Sequence, residues 1–333
     1  MNVVPALEMG GTHVAAAWVD LSEPRVVAGS RPRESLDANG TSDAILATIL
    51  HCAARLDAEP GAAWGVAIPG PFDYAAGIGR FEGVAKFGAL NGVDVSRRLL
   101  DGLPPASQIT FLNDADAFLI GEWAAGAAAG HDPVAAITLG TGIGSAFLAA
   151  GRIVDDGPDV PPGGRVDRLT IDGRPLEETA SRRAIVAGYA RLAGPNEHGP
   201  VPDVDEIAAR ARRGDTLARR AIQEPLRALG EALASWLGRF GASGLVVGGS
   251  MAGSWDLVEP ALRDGLGSTI ALLPARLPDD AGLIGAALYA HGAEARAPKR
   301  ITLQPGTGDR RRTGMLMPRT RQQRLRARGD DER

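Results

Sequence analysis

Two stretches of the chain, about 130 residues apart, share one pattern of apolar and polar positions. In each, an apolar run leads into a glycine turn that contains threonine, and a second apolar run follows. The first is V-V-P-A-L-E-M-G-G-T-H-V-A-A-A-W-V, from Val3 to Val19, and the second V-A-A-I-T-L-G-T-G-I-G-S-A-F-L, from Val134 to Leu148. Each predicts a β-hairpin. A turn made mostly of glycine exposes backbone N–H groups that no side chain shields, and threonine adds a hydroxyl donor, so such turns suit a phosphate. Two of them predict two lobes that grip one polyphosphate. Between them, I-T-F-L-N-D-A-D-A-F-L-I-G-E-W reads as an apolar strand delivering Asn113 and Asp114 to the start of a helix.

The other periodicities fill in the elements around these hairpins. Thr41 or Ser42 is expected to cap an amphipathic helix that continues to about Leu56. A-A-W-G-V-A-I-P-G-P reads as a buried strand stopped by Pro69, Gly70 and Pro71, whose loop faces whatever that lobe binds. Phe81 to Val95 has no clean period and reads as a loop over a site, followed by a short helix near Ser96 to Leu100. Ile109 to Leu112 is expected as a strand, Ala115 to Ala129 and Leu176 to Arg191 as helices, and Pro158 to Gly164 as a loop. From Asp215 to Phe240 the apolar positions Leu226, Leu229, Leu233, Trp236, Leu237 and Phe240 share one helical face, and Pro225 is expected to kink or split that helix. Gly244 to Gly249 reads as a buried strand, and Trp255 to Leu266 and Ala281 to Ala290 as the last helices. Strands alternating with helices after each hairpin predict α/β layers.

Composition narrows the class. With 333 residues, 44% hydrophobic and 23% charged, the chain is ordinary globular protein, long enough for two lobes. No apolar run approaches the roughly 20 residues of a membrane helix, and the N-terminus lacks a basic flank and signal-type apolar block, so a cytoplasmic location is expected. The single cysteine, Cys52, cannot form an internal disulfide or a multi-cysteine metal site. It shares a helical stripe with Ile45, Ile49 and Leu56 and reads as a core thiol. The net charge of -4 hides an asymmetry, because 12 basic and 5 acidic residues lie after position 292. That segment, 293–333, reads as a disordered basic tail, and with no aromatic interleaving it is not expected to bind nucleic acid. The five histidines show no ligand spacing, and Lys86 reads as an ordinary solvated lysine.

These pieces, in this order, resemble the ROK family of sugar kinases, part of the actin-like ATPase superfamily, from about Val3 to His291. E-M-G-G-T (Glu8 to Thr12) matches the family's first phosphate motif, A-I-P-G-P (Ala67 to Pro71) its sugar-side loop and N-D-A-D-A (Asn113 to Ala117) its Asn-Asp-Ala-Asn-Ala. L-G-T-G-I-G (Leu139 to Gly144) matches the second phosphate motif, V-V-G-G-S (Val246 to Ser250) the adenosine motif and D-D-A-G-L-I-G-A-A (Asp279 to Ala287) the closing helix. One glycine motif alone is weak evidence, whereas six in order are specific.

The resemblance implies an α/β, two-lobed actin-like ATPase (ribonuclease H-like) fold with a cleft between the lobes. The N-terminal lobe is expected at 1–118, completed by helix 280–292, and the C-terminal lobe at 119–279. The implied reaction is transfer of a phosphoryl group from ATP, with Mg2+, to a hydroxyl of a sugar or sugar-like polyol. Asp114 is the implied catalytic base, although Asn113 or Asp114 also suits the cap of the following helix. Asp116 is the weaker candidate for the base. Glu8, Gly10, Gly11, Thr12, Gly140, Thr141 and Gly142 are implied at the phosphates, and Gly248, Gly249 and Ser250 at the adenosine. Pro69, Gly70, Asn113, Glu177, Arg165 and Arg168 are implied at the acceptor; Glu177 reads equally well as a solvated helix charge beside Arg182 and Arg183. Because family members often pair, a homodimer is expected.

Three departures from the family pattern bear on function. Glu8 replaces the usual aspartate of the first motif, and its extra methylene displaces the carboxylate by about 1.5 Å. The family's cysteine-rich zinc motif is absent, with T-I-D-G-R-P-L (Thr170 to Leu176) in its place, so no zinc is expected. Where family glucokinases carry Gly-Glu-x-Gly-His, this chain has G-R-V-D-R, Gly164 to Arg168. Arginine has donors and no acceptor, so it cannot serve the contact that a carboxylate serves. A cyclitol or amino sugar phosphorylated on a primary hydroxyl is therefore expected over glucose, with plain glucokinase as the alternative. From another class, a family regulator needs a DNA-binding domain for which the seven residues before Glu8 leave no room, and a catalytically weak sugar and nucleotide sensor has only Glu8 in its favour.

Overall fold

Both glycine turns close β-hairpins, and each hairpin founds a sheet. The computed structural model of the chain describes residues 2–84, 86–105, 107–171, 173–194 and 201–293; the basic segment 294–333, expected to be disordered, lies outside them. In the first sheet, strand Val3–Met9 pairs antiparallel with His13–Asp20 and parallel with Ala63–Ile68, which in turn pairs parallel with Gln108–Asn113. In the second, Val134–Leu139 pairs antiparallel with Ile143–Ala149 and parallel with Gly244–Gly248, which pairs parallel with Ala271–Pro274. The two sheets thus repeat one plan.

Register decides what meets at the sheet edges. Glu8 stands opposite Ala67, and Ile68 opposite Asn113, so three parallel strands end together at the Gly10 turn, the Pro69 loop and Asp114. Gly248 stands opposite Thr138, which brings the Gly248–Ser250 segment beside the Gly140 turn. Carboxyl ends of parallel strands are where open α/β sheets bind ligands.

Helices Asp114–Ala125 and Ala281–Ala293 lie between the sheets. Leu283, Ile284, Ala286 and Ala287 pack on Ala6, Ala17 and Ala67 of the first sheet, while Ala115, Phe118 and Leu119 pack with Val134, Ala146 and Val246 of the second. The helices touch backbone to backbone, because a Cβ at Gly121 would strike Ala281 and one at Gly285 would strike Ala117. Small residues along both helices are what permits this approach. The helix from Asp114 runs through the expected lobe boundary at 118/119 and ends at Ala125, short of the expected Ala129. There the buried Glu122 carboxylate accepts the Ala127 N–H at 2.6 Å and the Leu277 N–H at 2.7 Å.

Two helical expectations need correction. The helix expected over 176–191 is broken into Leu176–Ala180 and Arg182–Ala193 by Ser181, which is extended and buried. The break frees the Arg182 N–H, which donates to Gly140 O at 3.0 Å and ties the helix to the second glycine turn. Helix Thr216–Phe240 is not split at Pro225, since Leu226, Leu229, Leu233 and Leu237 hold it to the core and only one backbone donor is lost. The remaining expectations hold more closely: Thr41 caps Ser42–Ala54, Asp94 caps Val95–Leu100, and helix Val204–Arg212 is an addition. Cys52 is buried as expected, and burial pushes its thiol up to about 11. Among the described residues no helix is long and apolar enough to cross a membrane.

Candidate active site

The first turn is held from within and from outside. Gly10 N–H donates to His13 O at 2.8 Å, and Leu36 N–H donates to Thr12 O at 2.9 Å, which leaves the exposed Thr12 at the tip. Glu8 precedes the turn, half-buried, with its carboxylate against Gly282. Burial, then the charges of Asp114 and Asp279, push the Glu8 carboxyl up to about 7, against the opposing pull of Arg33 and Arg31. In the second turn, Gly140 N–H donates to Gly142 O at 3.0 Å, and Thr141 is exposed. Gly249 beside it has φ +81° and backs onto the Leu139 backbone, with Ser250 exposed next to it. A side chain at Gly249 would be strained and obstructed.

At the edge of the first sheet, Asn113 is the cap of the helix that Asp114 begins. Its carbonyl oxygen accepts the Ala115 N–H at 3.0 Å, and its amide donates to the Tyr74 hydroxyl at 3.0 Å. Capping therefore falls to Asn113, and Asp114 holds the Ala115 N–H at 3.0 Å on one of its carboxylate oxygens. Burial raises the Asp114 carboxyl, opposed by the backbone N–H groups of Ala115 and Asp114 and by Arg165. Asp116 is pushed up to about 8 by burial, then by Asp155 and Asp114.

The acceptor-side residues converge on Gly70. The point where a Cβ on Gly70 would stand is 3.1 Å from the Tyr74 hydroxyl, 3.7 Å from Arg165 Nη1 and 3.8 Å from Asn113 Nδ2. Arg165 reaches this place because its loop is pinned to the second hairpin. Ser145 Oγ donates to Gly164 O at 2.6 Å and accepts the Val166 N–H at 3.0 Å. The Arg165 fork donates from Nε and Nη2 to Asp167 at 2.7 and 2.6 Å, which leaves Nη1 toward Gly70. This pairing raises the Arg165 pKa further.

Two expected residues stand elsewhere. Arg168 is exposed and makes no hydrogen bond or ion pair among the described residues, so it does not join the Gly70 cluster. Glu177 lies at the second turn, its Oε2 3.0 Å from the point a Cβ on Gly142 would occupy, and it pairs with Arg183 at 3.0 Å. Its place is beside the expected phosphates. Sequence reasoning missed Tyr74, which no motif marked, and Asp167, whose position two residues from Arg165 was a readable signal. Among the described residues no group of three or more His, Cys, Asp or Glu side chains is placed to hold a metal ion.

Paired hairpin-led sheets, with helices between them and glycine turns at the carboxyl edges, define the two-lobed actin-like ATPase fold. Residues 4–158 and 172–293 match the ROK family, and the chain belongs to it. It is 28% identical to the glucokinase of Thermotoga maritima over 312 residues, 84% of this chain and 95% of that one. It is 31% identical to an N-acetylmannosamine kinase of Escherichia coli over 163 residues, 47% of this chain and 56% of that one. Among solved structures, the ROK hexokinase of Thermus thermophilus superposes with a TM-score of 0.69 at 26% identity, covering 88% of this chain and 99% of that one.

Proposed function

We propose that the protein is a sugar-class kinase that moves the terminal phosphoryl group of Mg-ATP to a hydroxyl of a sugar or sugar-like polyol. The observation that carries this reading is the shared strand edge, where the Gly10 turn, the Gly70 loop and Asp114 end side by side. The glucokinase and N-acetylmannosamine kinase relatives support the same class. Asp114 acts as base: one of its oxygens accepts the acceptor hydroxyl proton as the acceptor oxygen bonds to the terminal phosphorus. The bond from that phosphorus to the bridging oxygen breaks, and ADP leaves with its electron pair. A carboxyl already raised by burial is the stronger base once ionised, while the glycine turns and Mg2+ hold the phosphates in line.

The acceptor we favour is a cyclitol or an amino sugar bearing a primary hydroxyl, with glucose disfavoured. Arg165 Nη1 at Gly70 is the support for this, since it offers a donor where family glucokinases offer a carboxylate. The nucleotide lies with its adenosine at Gly248–Ser250 and its phosphates across Gly10–Thr12 and Gly140–Gly142. The test is ADP release with ATP and Mg2+ against hexoses, amino sugars and cyclitols. Release that depends on one of these acceptors is expected, and none with any of them would remove the kinase reading.

A further inference from the structure

Residues 86–95 fold back onto the first glycine turn through two backbone bonds in series. Leu36 N–H donates to Thr12 O at 2.9 Å, and two residues on Phe87 N–H donates to Ala38 O at 2.8 Å. Phe87 has φ +61°, a left-handed conformation in which a residue with a bulky side chain is strained. Its buried ring, 5.5 Å from that of Phe81, holds the backbone in that state. The strained residue follows Lys86 directly and sets where Lys86 points.

Lys86 is not the solvated lysine that its sequence context implies. It is half-buried, and its side chain fills the space that a Cβ on Gly11 would need, with Cδ and Cε each 2.8 Å from that point and Nζ nearer still. Among the described residues it has no hydrogen bond or ion-pair partner. A half-buried ammonium group without a partner is costly, and an anion at the turn removes that cost. The chain has 36 basic residues and only two are lysine; the other, Lys299, lies outside the described residues. Among the described residues, the basic side chains besides Lys86 that act on the site, Arg31, Arg33 and Arg165, are arginines. An ammonium group is a compact charge with three rotatable donors, which suits the close space over a glycine turn better than a planar guanidinium fork does.

We propose that Lys86 is a catalytic residue that binds the terminal phosphoryl group of the nucleotide over Gly11. The inference rests on the kinase reading above and adds a residue to it. The terminal phosphoryl group is the ligand because the Gly10 turn belongs to the same sheet as the acceptor loop and Asp114, whereas the Gly140 turn and Gly248–Ser250 belong to the other. The group in transit between nucleotide and acceptor therefore lies nearest the first turn. Lys86 exchanges no proton. It offsets the charge on the non-bridging oxygens while the acceptor oxygen bonds to phosphorus, the bond to the bridging oxygen breaks, and the hydroxyl proton passes to Asp114.

The test compares Mg-AMPPNP with Mg-ADP, since only the first carries the terminal phosphoryl group. Calorimetric titration of the parent protein and of Lys86→Met is expected to show AMPPNP affinity falling at least tenfold and ADP affinity changing less than twofold. Lys86→Arg should recover part of the loss. With the best acceptor of the panel, turnover of Lys86→Met should fall about a hundredfold with acceptor KM within threefold. If the Met variant melts early, Lys86→Gln serves the same comparison. Equal losses for the two nucleotides, or unchanged AMPPNP affinity, overturn the assignment of Lys86 while ADP release by the parent keeps the kinase reading. A parent that shows the AMPPNP selectivity but phosphorylates no acceptor overturns the kinase reading alone, and one that binds neither nucleotide overturns both.

Discussion

The Asn113 side chain is used at both ends: its carbonyl oxygen accepts the Ala115 N–H and its amide donates to the Tyr74 hydroxyl, each at 3.0 Å. Capping fixes which way the amide faces, and the Tyr74 hydroxyl holds it there at the edge of the Gly70 cluster. Tyr74→Phe removes the partner that orients it. A neutral hydrogen bond of this kind is worth about 1 kcal/mol, so acceptor KM should rise roughly 3- to 10-fold with kcat within about twofold. Steady-state titration of the acceptor checks this, and an unchanged KM would place the acceptor away from Tyr74.

Asp114→Asn should lower turnover by about 10²- to 10⁴-fold, because an amide cannot accept the hydroxyl proton. Stability should move the other way or not at all. Burial already works against the Asp114 charge, and the helix cap belongs to Asn113, so the variant loses neither a cap nor a favourable charge. Turnover and thermal midpoint measured together decide it. Turnover close to the parent's would shift the base to another group, with Asp116 the next to replace.

The nucleotide-free protein should lose stability as pH rises from 5 to 8. Glu8 and Asp116 are pushed up to about 7 and about 8, from ordinary values of 4.5 and 3.8, chiefly by burial. The folded state then keeps protons that the unfolded chain has released, so their contribution is complete below pH 4 and is lost as pH climbs through 7 and 8. The exposed carboxylates held low by arginines, Asp203 and Asp256, titrate below this window and do not offset it. A falling thermal midpoint is expected, opposed in part by His13, whose ring burial holds below its ordinary value. Glu8→Gln with Asp116→Asn should flatten the curve, and a midpoint that rises over this range in the parent would contradict the account.

What the sequence disclosed was the part written in local periodicity. Both hairpins, the strand ending at Asn113 and the buried stripe through Cys52 repeat at short range. What it hid was set by long-range backbone bonds. Ser181 breaks a helix whose pattern runs on unbroken, and the Arg182 N–H at the break goes to Gly140 O. Lys86 sits in an aperiodic loop, and only the Phe87 to Ala38 bond lays it on Gly11. Arg165 and Arg168 looked equivalent as replacements, yet the Asp167 fork and the Ser145 hydroxyl place only the first at Gly70.

That difference between two arginines yields a prediction about the acceptor. Arg165 is neutralised by Asp167 and offers Gly70 one free donor edge with little net charge, so its preferred partner is an uncharged acceptor oxygen. A ring hydroxyl of glucose can accept there, but its own proton loses the carboxylate that would otherwise take it, and an unpaired buried hydroxyl costs on the order of 1 to 3 kcal/mol. In the parent protein kcat/KM for glucose should therefore lie about one to two decades below that of the better of a cyclitol and an amino sugar. Arg165→Ala should lower kcat/KM for that better acceptor about tenfold and for glucose less than about threefold, which narrows the gap between them. Arg168→Ala, at an exposed position apart from the cluster, should change neither. Glucose as the best of the three in the parent would end the claim on specificity and leave the kinase reading in place.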